Sequence, residues 1–150
     1  MGYKYAQTKN ARDLWPFFKK ISIWMPICLI PVAIIGIALC PYVISNYFPK
    51  YNESIIPICI MIVGFMFSTT FYTRGFLITI KAYRLVILLE LVDMLLFVGL
   101  PALLIMLYPD YILIAMSAGL SIGYFISYFL NIFLVKNEIF KNQYNSNNKE

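Results

Sequence analysis

The chain has 150 residues, of which 61% are hydrophobic, 17% aromatic and only 13% charged, with a formal net charge of +5. Soluble domains carry roughly 25% charged residues, so this composition excludes an ordinary water-soluble fold and leaves no room for a second, soluble domain. The three cysteines fit no metal-ligand spacing, histidine is absent and no nucleophile–base pair stands out, so neither an enzyme nor a bound metal or cofactor is expected.

Residues 1–20 read as a cytoplasmic, interfacial approach to the membrane, with Leu14, Trp15, Phe17 and Phe18 among the headgroups and the lysines facing phosphate. The basic start precedes an apolar run too long for a signal core, and no small-x-small cleavage site follows it, so a secretory leader is not expected. Apolar stretches then occupy 21–44, 55–80, 85–108 and 111–135. About 20 residues, rising ~1.5 Å each, cross the ~30 Å hydrocarbon layer, and each stretch reaches that length. The expectation is an all-α membrane protein with four transmembrane helices.

The first span carries Pro26 and Pro31, with Pro41 near its far end. An interior proline removes a backbone hydrogen bond and kinks a helix, which suits either a transporter hinge or an ordinary membrane helix. Pro49 favours a turn, and Asn52 or Ser54 suits the cap of the second span. That span passes Arg74 to about residue 80, with Gly75 a point of loosening. In the third span, Glu90 and Asp93 are three residues apart and share a helix face. Carboxylates at membrane depth face a bundle interior or a wet cavity and carry function; near the cytoplasmic edge they instead pair with Arg74, Lys81 or Arg84.

The fourth span has two stripes. Ala115, Gly119, Gly123 and Ser127 recur every four residues, a small-xxx-small pattern with a full GxxxG that admits close approach of another helix. Ser117, Ser121, Tyr124, Tyr128 and Asn131 fall within roughly 80° of one another and either bond a neighbour or line a polar cavity. Ile122, Phe125, Phe129 and Phe133 take the opposite side and suit lipid. The tail, 136–150, ends in an Asn-rich run and reads as a disordered cytoplasmic segment.

Topology follows charge. Eleven of the twelve Lys and Arg residues fall in the N-terminal segment, the second connector and the tail, leaving only Lys50 in the first connector. The positive-inside rule puts that side, and both termini, in the cytoplasm. The basic balance thus serves topology and attraction to anionic lipid headgroups, and nucleic acid is not an expected partner.

A family resemblance rests on particular residues. Pro41-Tyr42-Val43-Ile44 ends a proline-containing helix, and Tyr47-Phe48-Pro49-Lys50-Tyr51-Asn52-Glu53-Ser54 turns into the next. A short basic connector, two more helices and a basic tail follow, and Lys19-Lys20 precedes the first helix. Over about residues 10–140 this order resembles the C-terminal third of Wzx-type polysaccharide flippases, of the MOP exporter superfamily. The resemblance implies a fragment or split portion of a bacterial cell-membrane transporter that flips lipid-linked oligosaccharide (O-antigen export being the type case) by alternating access. Membrane lipids, the remaining helices of a larger transporter or a homo-oligomer are then the partners. Arg74, Glu90 and Asp93 supply charge near the cytoplasmic mouth, and Tyr124, Tyr128 and Asn131 line or brace the cavity. Two other readings stand beside this one. A non-transporting accessory or assembly subunit suits the GxxxG stripe. A small dimeric four-helix exporter is weakened by the lack of an acidic residue in the first span.

Overall fold

The computed structural model of the protein describes residues 14–68 and 70–147, and no strand occurs among them. Helix α1 (Trp15–Tyr47) leads through a 3-10 turn (Pro49–Ser54) into α2 (Ile55–Phe65) and α3 (Thr70–Thr79). Helix α4 (Tyr83–Met94) continues through a π-helical turn (Leu95–Gly99) into α5 (Leu100–Leu107), and a second 3-10 turn (Pro109–Tyr111) precedes α6 (Ile112–Asn147). Three helical stretches are long and apolar enough to cross a membrane: Trp15–Tyr47, Tyr83–Leu107 and Pro109–Ile139. At ~1.5 Å per residue the shortest reaches ~37 Å, against a hydrocarbon layer of ~30 Å. Large apolar side chains such as Val32, Leu95, Met106 and Phe133 point outward. In water such a surface would aggregate, whereas hydrocarbon solvates it.

Helix α1 begins inside the segment read as interfacial, whose residues 1–13 lie outside the described residues. Leu14 and Phe18 are buried instead of lying among headgroups. They pack with Phe76, Leu77, Ile80, Leu89, Val135 and Ile139 into the core at the end where α1 starts. The same core explains the tail. Helix α6 runs past 135 to Asn147, where disorder was expected, because Val135 and Ile139 lie a turn apart and are both buried. Residues 148–150 of that tail lie outside the described residues.

Helix α1 stays unbroken through Pro26, Pro31 and Pro41. The break falls in the stretch read as the second span. The end of α2 tightens to three-residue hydrogen bonds, Phe67 N to Gly64 O and Ser68 N to Phe65 O, both 3.0 Å. The sequence Ser68-Thr69-Thr70 propagates a helix poorly, since its hydroxyls compete for backbone groups and threonine is β-branched. The two halves, of 11 and 10 residues, are each too short to cross a bilayer alone. Gly75 sits within α3 and is not the point of loosening.

Between α3 and α4, Ala82 N bonds Leu77 O and Lys81 N bonds Ile78 O, while Lys81 adopts φ 60°. That pairing is a Schellman stop, usually built on glycine. Further on, Pro101 offers no N–H to the carbonyl of Phe97, and the wide turn at Leu95–Gly99 absorbs the lost register.

Candidate functional site: a charged cluster inside the bundle

The site depends on how closely the helices approach α6. A Cβ added at Gly119 would lie 2.6 Å from Pro101 Cα, and one at Gly64 would lie 2.6 Å from Ser121 Cα. At Gly123 it would meet Phe97 Cδ1 at 3.1 Å. Bare backbone at these points lets α5 and α2 settle against α6, and Ser121 Oγ donates to Ile60 O at 2.9 Å. The two stripes of the fourth span thereby merge into one buried face. Ala115, Ser117, Gly119, Gly123, Ser127, Tyr128 and Asn131 are buried, while Ile122, Phe125, Phe129 and Phe133 are exposed.

Against that face the chain gathers a cluster of charged side chains. Asp93 of α4 is only 3% exposed and lies about 15 Å along the helix from Tyr83. Arg74 of α3 donates from Nη2 to Asp93 Oδ2 at 3.2 Å. Its Nε lies 2.8 Å from Glu90 Oε1, a coulombic contact whose N–H is not aimed along a hydrogen bond. Ser127 Oγ donates to Asp93 Oδ1 at 2.5 Å, and Asn131 Nδ2 donates to Ser127 Oγ at 2.9 Å and to Ser127 O at 2.8 Å. Each member thus orients the next. Buried charges persist only with this kind of pairing. The cluster is graded in exposure: the Glu90 side chain is 51% exposed, that of Arg74 30% and that of Asp93 4%.

Of the two alternatives for Glu90 and Asp93, both carboxylates pair with Arg74, but only Asp93 is also turned into the bundle, while Glu90 stays half exposed. Tyr128 is adjacent, its hydroxyl donating to Ser22 O at 3.0 Å, and the Ser22 hydroxyl itself is buried without a partner among the described residues. Tyr124 is separate. Its ring packs on Phe97 at 4.8 Å and closes the back of a 440 Å³ apolar crevice between α1 and α2.

Comparison with protein-family models, with curated proteins and with solved structures finds no match. The chemistry of the site is therefore argued from its own atoms. Among the described residues no group of three or more His, Cys, Asp or Glu side chains could hold a metal ion. Ser127 is 1% exposed and its proton already points at Asp93, so no substrate atom reaches it as a nucleophile. The cluster offers acceptors, donors and a partly exposed cation. Sequence reasoning placed Ser127 in the packing stripe and passed over Ser22. Their signal is weak, because serine is equally at home as a small packing residue in membrane helices.

Proposed function

We propose that the chain is part of a membrane transporter that flips lipid-linked oligosaccharide across the cell membrane of a bacterium, by alternating access and without covalent chemistry. The observation that carries this reading is the Arg74–Glu90–Asp93–Ser127–Asn131 cluster inside an otherwise apolar bundle. Ionisable groups at membrane depth are expensive, and packing alone does not need them. Sugar hydroxyls are donors that carboxylates accept, and Glu90, the most exposed member, is the group a polar head meets first.

The break after α2 supports the same reading. Discontinuous helices in transporters occur beside substrate and ion sites, where unwound backbone faces a cavity. Here the break separates α2 from α3, the short helix that carries Arg74. In this reading α2 and α3 together make the fourth crossing, and both termini are cytoplasmic. Exposed Lys19, Lys20, Lys81, Arg84 and Lys136 then mark the inner end, while Glu53 and Asp110 mark the outer. The partners are lipid, the remaining helices of a larger transporter or a second copy, and the glycan-bearing substrate. An assembly subunit is favoured less, since Pro101 and Phe97 of this chain already occupy the glycine stripe.

The test is genetic. Replacing the native copy with Asp93→Asn should lower surface glycan and make lipid-linked oligosaccharide accumulate inside, at unchanged protein level. Phe133→Leu, on the exposed face, should leave both unchanged. Normal surface glycan after deletion of the gene overturns the reading.

A further inference from the structure

We propose that the crevice between α1 and α2 is a lipid site, which takes one acyl chain of a membrane phospholipid. The two helices are joined by the Pro49–Ser54 turn and come together at Gly36, where an added Cβ would meet Ile62 Cδ1 at 3.4 Å. Along that contact they leave 440 Å³ of apolar space. Leu29, Ala33 and Gly36 form one wall, Ile58, Met61 and Met66 the other, and Tyr124 of α6 the back. The crevice opens to the outside of the bundle, where Val32 and Phe65 stand exposed at its rim.

Size decides what enters. From Ile58 to Met66 the crevice follows α2 for about 12 Å at ~1.5 Å per residue. Dividing 440 Å³ by that length leaves a mean cross-section of about 37 Å², a slot roughly 7 Å wide. A helix with its side chains is ~10–12 Å across and needs about 80 Å² or more, so a neighbouring helix or a second copy covers the slot without filling it. A methylene chain, whose carbons sit ~4 Å from the atoms they touch, is about 4–5 Å across and enters with room for a kink. Met61 and Met66 are unbranched and adapt to such an irregular occupant.

Depth decides which part of a lipid arrives. Residues 29–36 sit near the middle of α1, about 21 Å from Trp15 and about 16 Å from Tyr47. Among the described residues no charged side chain lines the crevice, so a headgroup finds nothing to bond there. The chains of one leaflet end about half-way through the ~30 Å layer, at this depth. Hydrocarbon offers no hydrophobic drive for a chain to leave the bulk. The gain is dispersion: walls facing an empty slot lack partner atoms on one side, and one chain supplies them. The phospholipid chain is the narrow hydrocarbon present on every side of a bundle in a bilayer. The inference rests on the helices lying in a bilayer and not on the transport reading.

The full chain is reconstituted into phosphatidylcholine bilayers with and without bromine near the end of one acyl chain, since bromine quenches tryptophan on contact. Trp15→Phe and Trp24→Phe remove the native emission. Tyr124→Trp then reports from the back of the crevice, and Phe125→Trp reports from the outward face one residue away, at the same depth. Quenching of the two should agree within about twofold, because both rings touch chains at the same distance. Ala33→Leu, or Ile58→Phe from the opposite wall, fills the slot and should cut quenching of Tyr124→Trp about twofold or more. Unchanged quenching of Phe125→Trp in the same variants reports an intact bundle. An unquenched Tyr124→Trp beside a quenched Phe125→Trp would overturn the proposal, whether a helix, a second copy or a different lipid takes the place. Quenching of Tyr124→Trp that survives both fillings would overturn it as well. None of these outcomes depends on glycan transport, which the deletion experiment reads separately.

Discussion

Asp93 is the residue on which the polar interior turns. It is enclosed, and Arg74 and Ser127 each hold one of its oxygens. Removing one partner of a buried pair leaves a charge without compensation, which costs about 3–5 kcal/mol in soluble cores. Arg74 is partly exposed, so the lower end applies, and Arg74→Gln should cost about 3 kcal/mol. Asp93→Asn removes the charge together with its need for a partner, and should cost about 1–2 kcal/mol. The double variant should then be more stable than the sum of the two losses. Glu90→Gln, at a half-exposed group, should cost less than about 1 kcal/mol. Unfolding in mixed detergent micelles, run as a double-mutant cycle, measures all of these. Strict additivity of Arg74→Gln and Asp93→Asn would show that the pair does not couple.

At the scale of elements, α6 organises the bundle through what it lacks. Gly119 meets backbone of Pro101 at a distance that no real Cβ tolerates, whereas Gly123 meets the edge of the Phe97 ring, which can yield. Gly119→Leu should therefore push α5 off α6 and cost about 3 kcal/mol or more, beyond the usual 1–3 kcal/mol of overpacking, because backbone cannot step aside. Gly123→Ala should cost less, and Phe129→Leu should change little, since that ring faces outward. Thermal aggregation in detergent, followed by size-exclusion chromatography, ranks the three. A silent Gly119→Leu beside a disruptive Phe129→Leu would mean that the faces of α6 are reversed. The break between α2 and α3 belongs to the same scale. It follows a run of hydroxyl residues and a close approach at Gly64, and α1 shows that prolines by themselves do not break a helix that neighbours support.

For the whole molecule, the distribution of charge and the broken second crossing make one joint prediction. If α2 and α3 cross together, as proposed above, the Pro49–Ser54 turn is expected outside. A cysteine placed at Asn52, in a background lacking the native cysteines, should react with a membrane-impermeant maleimide added to intact cells. Reaction only after the inner face is opened would invert the topology.

The sequence by itself determined the apolar, membrane-length character of the helices, the helical class and the outward-facing side of α6, because each of these sums over one contiguous stretch. Apolar length tells lipid from water, and a 3.6-residue period tells one face of a helix from the other. It also singled out Arg74, Glu90, Asp93, Tyr128 and Asn131, since polar groups in hydrocarbon are conspicuous. Only the tertiary structure decided which of them meet. Arg74 and Asp93 are 19 residues apart and Ser127 is 34 residues from Asp93, so their contact depends on how separate helices rotate and pack. For the same reason Ser127 proved polar as well as small, and Tyr124 went to the apolar crevice. The end of α6 and the break before α3 were likewise tertiary decisions. A frayed terminus stays helical where Val135 and Ile139 find a core, and a weak helical run breaks where its neighbours do not hold it.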